Sequence, residues 1–148
     1  MTISLTSLQK ITTLKNRITQ QATWEYAESK RILDAEYDKL YTLAEQHDAA
    51  KAELHQATEE RISTQHLHSW ILYLNAQQRQ MLHQAEVIAQ QKVDCEDKHD
   101  RLKGRFLDEQ MWSKLQEKRR EEVRAHLDKQ AQEALDEAAA ALRSRTGR

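Results

Sequence analysis

Proline is absent from this 148-residue chain, glycine occurs twice, and phenylalanine and cysteine occur once each. Without proline no residue forces a helix to stop or kink, and two glycines leave almost no low-cost left-handed turns. Aromatic residues make up only 5% of the chain, which argues against the interior of a compact globule. A single cysteine excludes an internal disulfide framework. No apolar run is long enough for a signal peptide or a membrane span, so a cytoplasmic location is the expectation. No charge of one sign dominates either: the net charge is −1, which gives no overall steering toward nucleic acid or membrane. What remains is a chain 32% charged and rich in helix formers, the composition of long helices and coiled coils.

Periodicity gives those helices a partner. Steps of four and three from Leu67 pass through Ile71, Leu74, Gln78, Met81, Ala85, Ile88, Lys92, Cys95, His99, Leu102 and Phe106. Such a narrow stripe is suited to packing against one other long helix. A matching seam runs from Ala22 through Tyr26, Ser29, Leu33, Glu36, Leu40, Leu43, His47, Ala50, Leu54 and Ala57. The expected fold is all-α, an antiparallel two-helix coiled coil forming one domain over residues 1–148. Helix 1 is expected at about 4–61, the turn at about 62–66 and helix 2 at about 67–143, with Ser63 or Thr64 capping helix 2.

A turn centred near residue 65 sets the expected register. It brings Asp94, Glu96, Asp97 and Asp100 near Lys30 and Arg31, and Arg101, Lys103 and Arg105 near Glu25 and Glu28. The first residues form a basic amphipathic helix with Leu8, Ile11, Leu14 and Ile18 on one face and Ser4 or Thr6 as its cap. From Ile18 to Ala22 to Tyr26 the spacing becomes four and four, a stutter that would locally unwind a supercoil. In helix 2 the seam weakens through Glu109, Ser113, Gln116 and Arg120, while Met111, Trp112 and Leu115 shift to neighbouring positions. The last twenty or so residues find no partner and form an overhang, with residues 130–148 expected to be only partly ordered when alone.

The residues carry no catalytic arrangement: there is no phosphate loop and no nucleophile beside an orienting base, so an enzyme and a cofactor are not expected. Cys95 and His99 stand one helical turn apart, the spacing of two metal ligands, but no further ligands accompany them and both fall on the seam, where a structural role is the simpler reading. His66 and His68 beside the turn give a similarly weak signal, so no metal is expected. Trp70 and Tyr73 follow the turn off the seam, the residue types that anchor protein interfaces. Lys118, Arg119, Arg120 and Arg124 alternate with Glu117, Glu121 and Glu122, which makes a poor nucleic-acid stripe.

The run Trp112-Ser113-Lys114-Leu115-Gln116-Glu117-Lys118-Arg119-Arg120-Glu121-Glu122, with Gln130, Gln132 and Leu135-Asp136-Glu137-Ala138-Ala139 after it, resembles the C-terminal half of the FliJ family. That family comprises small components of the flagellar type III export apparatus. The resemblance implies a stalk similar to the coiled coil of the rotary ATPase γ subunit. It would insert into the hexameric export ATPase, reach toward the export gate protein FlhA and bind export chaperones, cytoplasmic but peripheral to the inner membrane at the flagellar base. On that resemblance Leu8, Ile11, Leu14, Leu115, Val123 and Leu127 would meet the ATPase, and Trp70 and Tyr73 the gate. A monomer is expected in isolation. The alternatives are a YscO-type injectisome stalk, a homodimeric coiled-coil tether using the polar seam residues Gln78, Lys92 and His99 to set register, and a metal-responsive protein using Cys95 and His99.

Overall fold

The computed structural model describes residues 3–147. Two helices, α1 (Leu5–Glu59) and α2 (Thr64–Thr146), pack against each other as an antiparallel α-hairpin coiled coil, and no strand occurs among the described residues. Ser4 starts α1, its Oγ accepting the Ser7 amide proton at 3.2 Å. Ser63 starts α2 in the same way, accepting from the His66 amide at 3.2 Å. Each cap satisfies one of the orphan donors of a helix N-terminus.

The link between the helices is tighter than the sequence suggests. α1 ends at Glu59 and α2 begins at Thr64, ahead of the expected Leu67. Arg61 makes this possible by adopting a left-handed backbone with φ of 65°. Such a conformation ordinarily falls to glycine at a helix C-terminus. The earlier turn shifts the register: Ser29 meets Asp94, Tyr26 meets His99 and Glu25 meets Arg101. Of the charge pairs expected between the helices, Arg101 with Glu25 forms at 3.7 Å. Asp94 instead bonds Ser29 and Lys98, and Arg31 turns back to Glu28 on its own helix.

Two compact units divide the hairpin, a turn unit of Gln21–Leu102 and a terminal unit of Met1–Gln20 with Lys103–Arg148. In the turn unit the α1 seam from Ala22 to Ala57 is as the spacing predicts: Ala22, Ser29, His47 and Ala50 are buried and the others half-buried. The α2 seam needs correction at every second member. Leu67, Leu74, Met81, Ile88, Cys95 and Leu102 face α1, but between them stand Trp70, Gln77, Gln84, Gln91 and Lys98, while Ile71, Gln78, Ala85, Lys92 and His99 point to solvent.

The preference for glutamine has a direct cause. Gln77 Oε1 lies 3.0 Å from His47 Nδ1, and Gln84 Nε2 donates to the Glu36 carboxylate at 2.6 Å and to its carbonyl at 2.9 Å. Gln91 Nε2 donates to Ser29 Oγ at 3.2 Å, and Ser29 Oγ donates to Asp94 Oδ2 at 2.8 Å. Ser29, Glu36 and His47 on α1's seam thus each have a hydrogen-bond partner on α2, as burial demands. Leu8, Ala22, Ala50, Ile88 and Cys95 are the apolar residues that reach full burial among those described, so these bonded rungs carry much of the seam's specificity.

In the terminal unit the seam comprises Leu5, Leu8, Thr12, Lys15 and Thr19 on α1, with Glu109, Trp112, Gln116, Arg119 and Val123 on α2. The three-four spacing holds here, so neither the expected stutter at Ile18 nor the expected slip near Glu109 occurs. Lys15, Thr12 and Thr19 occupy the seam because their polar groups are satisfied there. Lys15 Nζ pairs with Asp108 at 2.7 Å, and the Thr12 and Thr19 hydroxyls donate to the Leu8 and Lys15 carbonyls at 2.8 and 3.0 Å. Beyond Val123 every described residue of α2 is exposed, so the overhang begins at Arg124, earlier than expected.

Candidate functional site

The chemistry of the seam is structural. Cys95 is buried on it, whereas His99 stands outside, its side chain 57% exposed and its ring edge-on to Tyr26 at 5.3 Å between centroids. The two therefore do not converge, contrary to the sequence reading that put both on one face. No group of three metal-ligating side chains gathers among the described residues. The perturbed titrations also belong to the rungs. Asp94 is held below the usual carboxylate range by the Ser29 hydroxyl and then by Lys98. Glu36 is lowered by Gln84 and then by Lys39.

What the molecule offers instead is surface, and the heptad phase assigns it. In the terminal unit, one flank of the seam carries Gln9, Thr13 and Asn16 of α1 beside Ser113 and Arg120 of α2, with an Asn16 to Glu109 hydrogen bond of 2.9 Å. Phe106, half exposed, is the large apolar residue on that flank. The opposite flank presents Ile11, Leu14 and Ile18 of α1 and Met111 and Leu115 of α2, with Leu107 further round at its outer edge. Leu14 and Leu107 are each 55% exposed, Met111 50% and Leu115 42%. A hollow of about 260 Å³ at its end is lined by Ile3, Leu8, Leu115, Lys118, Arg119 and Glu122.

Of the residues singled out for this end, Leu8 is buried at 4% exposure and acts as a seam residue. Ile11 and Val123 are half-buried, Leu14 and Leu115 open onto the apolar flank, and Leu127 is exposed on the overhang. Leu107 and Met111 join them. Their signal was their spacing of four residues between successive members with Leu115, which becomes legible once the seam is phased through Trp112.

At the turn, Trp70 lies half-buried on the seam rather than off it, and Tyr73 beside it is 53% exposed. Their rings meet edge to face at 6.2 Å between centroids, and Gln77 Nε2 donates to the Tyr73 hydroxyl at 3.1 Å. Glu53, His66 and Ser69 complete a hollow of about 390 Å³ around them. Ile71 and Leu72 are exposed alongside, the first because the seam runs through Trp70. The arrangement suits an aromatic anchor for a partner chain, with Trp70 fixed by the seam and Tyr73 fixed by Gln77.

The model of a family described as FliJ, flagellar FliJ protein, matches residues 4–148. No curated protein matches the sequence. Among solved structures, a chain described as a YscO homolog from Chlamydia trachomatis aligns over 95% of this chain and 88% of its own, at 19% identity and a TM-score of 0.49.

Proposed function

Because the chain belongs to the flagellar FliJ family, a family of the type III export apparatus, we propose that it is the stalk of the export ATPase. In this reading the terminal unit enters the central opening of the hexameric ATPase ring. The Trp70 and Tyr73 end engages the export gate protein FlhA, and the chain escorts export chaperones. It works as a single copy, cytoplasmic and peripheral to the inner membrane at the flagellar base. It binds and positions, and carries out no chemistry of its own.

The observation that supports the stalk most directly is the overhang. From Arg124 to Thr146 α2 continues as helix with every side chain exposed, roughly six turns without a facing helix. A helix of this kind gains most of its stability from packing, so a surrounding partner is its natural complement. Truncation after Val123 tests this. The full chain is expected to raise ATP hydrolysis by the export ATPase of the same organism, and the truncated chain to lose that effect while keeping its helical hairpin, since every described residue removed is exposed. Equal stimulation by both would contradict the reading. Trp70→Ala with Tyr73→Ala is expected to weaken gate binding and leave ATPase stimulation intact.

A further inference from the structure

The two flanks of the terminal unit differ in a way that an antiparallel pair of helices does not itself require. One is polar apart from Phe106; the other carries Ile11, Leu14 and Ile18 on α1 and Met111 and Leu115 on α2, with Leu107 at its outer edge. Ile11, Leu14 and Ile18, spaced three and four, and Met111 and Leu115, spaced four, put an apolar strip on each helix along one side of the seam, the two sides of a groove that a third helix fills. The rim of this groove is cationic. Lys10 and Arg17 flank Leu14 at one turn's distance on either side, and Lys114 and Lys118 follow Met111 and Leu115 on α2.

None of these four cations has an ion-pair partner among the described residues. The two carboxylates beside the groove are already engaged, Asp108 with Lys15 at 2.7 Å and Glu122 with Arg119 at 3.2 Å. Arg119 itself leaves its Nε donor without an acceptor among the described residues. Glu121, three residues past Lys118, lies beyond the last apolar floor residue. The rim thus carries four cations without an ion-pair partner among the described residues, against one nearby carboxylate, Glu121, that no ion pair among them engages.

The geometry points to this groove as the docking site for an amphipathic helix of a partner protein, its apolar face lying on Leu14, Met111 and Leu115 and its edges lined with Asp or Glu. This rests on the reading of the terminal unit as the end that engages the export machinery, and specifies the chemistry of what docks there. A membrane surface would need only one convex apolar stripe, whereas here the apolar residues line both walls of a groove. A second copy could offer its own overhang, which is acidic at Asp128, Glu133, Asp136 and Glu137 and exposes Leu127, Leu135 and Leu142 between alanines, so a dimer is the rival outcome that the test separates from a partner helix.

The test uses the full chain and two labelled synthetic helices of eighteen residues, both with a leucine stripe, one edged with Glu and one with Lys, read by fluorescence anisotropy. The Glu-edged peptide is expected to bind, with affinity falling as salt rises, and the Lys-edged peptide to bind at least about tenfold more weakly. Leu14→Glu with Met111→Glu should abolish binding, and Lys114→Glu with Lys118→Glu should reverse the preference between the peptides. All four residues are exposed, and unchanged circular dichroism checks that the hairpin is intact. Equal binding of both peptides, or binding indifferent to the substitutions, overturns the inference. So does binding of phosphatidylglycerol vesicles in place of the peptides, or a dimer that the same substitutions dissolve. ATPase stimulation measured in parallel separates the two claims: stimulation without peptide binding sinks the groove alone, and peptide binding without stimulation sinks the stalk alone.

Discussion

Replacing Ser29 with alanine isolates one rung of the seam. Ser29 is 2% exposed, donates to Asp94 Oδ2 at 2.8 Å and accepts from Gln91 Nε2 at 3.2 Å. A hydrogen bond to a charged group contributes about 1.5–3 kcal/mol and a neutral one about 1 kcal/mol. Part of this is recovered in the variant, because Asp94 keeps Lys98 at 3.2 Å and Gln91 keeps the residue 29 carbonyl at 3.3 Å. The substitution removes one oxygen and leaves little cavity, so the net loss should be about 2 kcal/mol, read from urea unfolding followed by circular dichroism at neutral pH. The dependence on pH is a second readout. The Asp94 carboxyl is lowered chiefly by the Ser29 hydroxyl, so as pH falls the unfolded chain takes up the proton first. The stabilisation is fully present above the ordinary aspartate value, near 4, and is lost as pH drops through the depressed folded value. The gap between wild type and Ser29→Ala should therefore be constant from neutral pH down to about 5 and narrow in stronger acid. A loss under about 0.5 kcal/mol at neutral pH, or a gap unchanged in acid, would refute the reasoning.

Three further outcomes follow from the same geometry. Gln84→Ala should destabilise by about 1–2 kcal/mol because the half-buried Glu36 loses its amide partner, whereas the neighbouring Ala85→Gln, on the exposed side, should change stability by less than about 0.5 kcal/mol. Comparable losses would contradict the phase of the α2 seam. Arg61→Gly should stabilise the hairpin by up to about 1 kcal/mol in thermal unfolding, since glycine adopts the left-handed turn without strain; destabilisation would contradict that account. In the isolated chain, amides from Gln130 to Thr146 should exchange much faster than those around Ile88, as none of their side chains is buried, and equal protection would show that the overhang is held by something other than packing.

How far the fold is legible depends on which residues mark it. The α-hairpin and the whole α1 seam from Ala22 to Ala57 follow from periodicity, because most members are apolar and the polar Ser29, Glu36 and His47 are spaced widely enough to keep the count. On α2 the apolar residues mislead at alternate positions. Ile71 and Ala85 look like better seam members than Trp70 and Gln84, and only the facing residues His47, Glu36 and Ser29 decide in favour of the glutamines. That one-residue difference in phase also created the apparent slip at Glu109. The turn lies a few residues earlier than the sequence suggests because it uses a left-handed arginine where a glycine would have marked it. Leu14 and Leu115 could be named from sequence as surface anchors, but their grouping with Leu107 and Met111 required knowing which flank each occupies.

The measurement closest to the central claim is light scattering coupled to size exclusion, run on the purified chain alone and then mixed with the export ATPase of the same organism. A stalk is one chain by itself and elutes with ATPase oligomers when they are present. A stable homodimer that elutes apart from the ATPase would contradict the account and favour a coiled-coil tether.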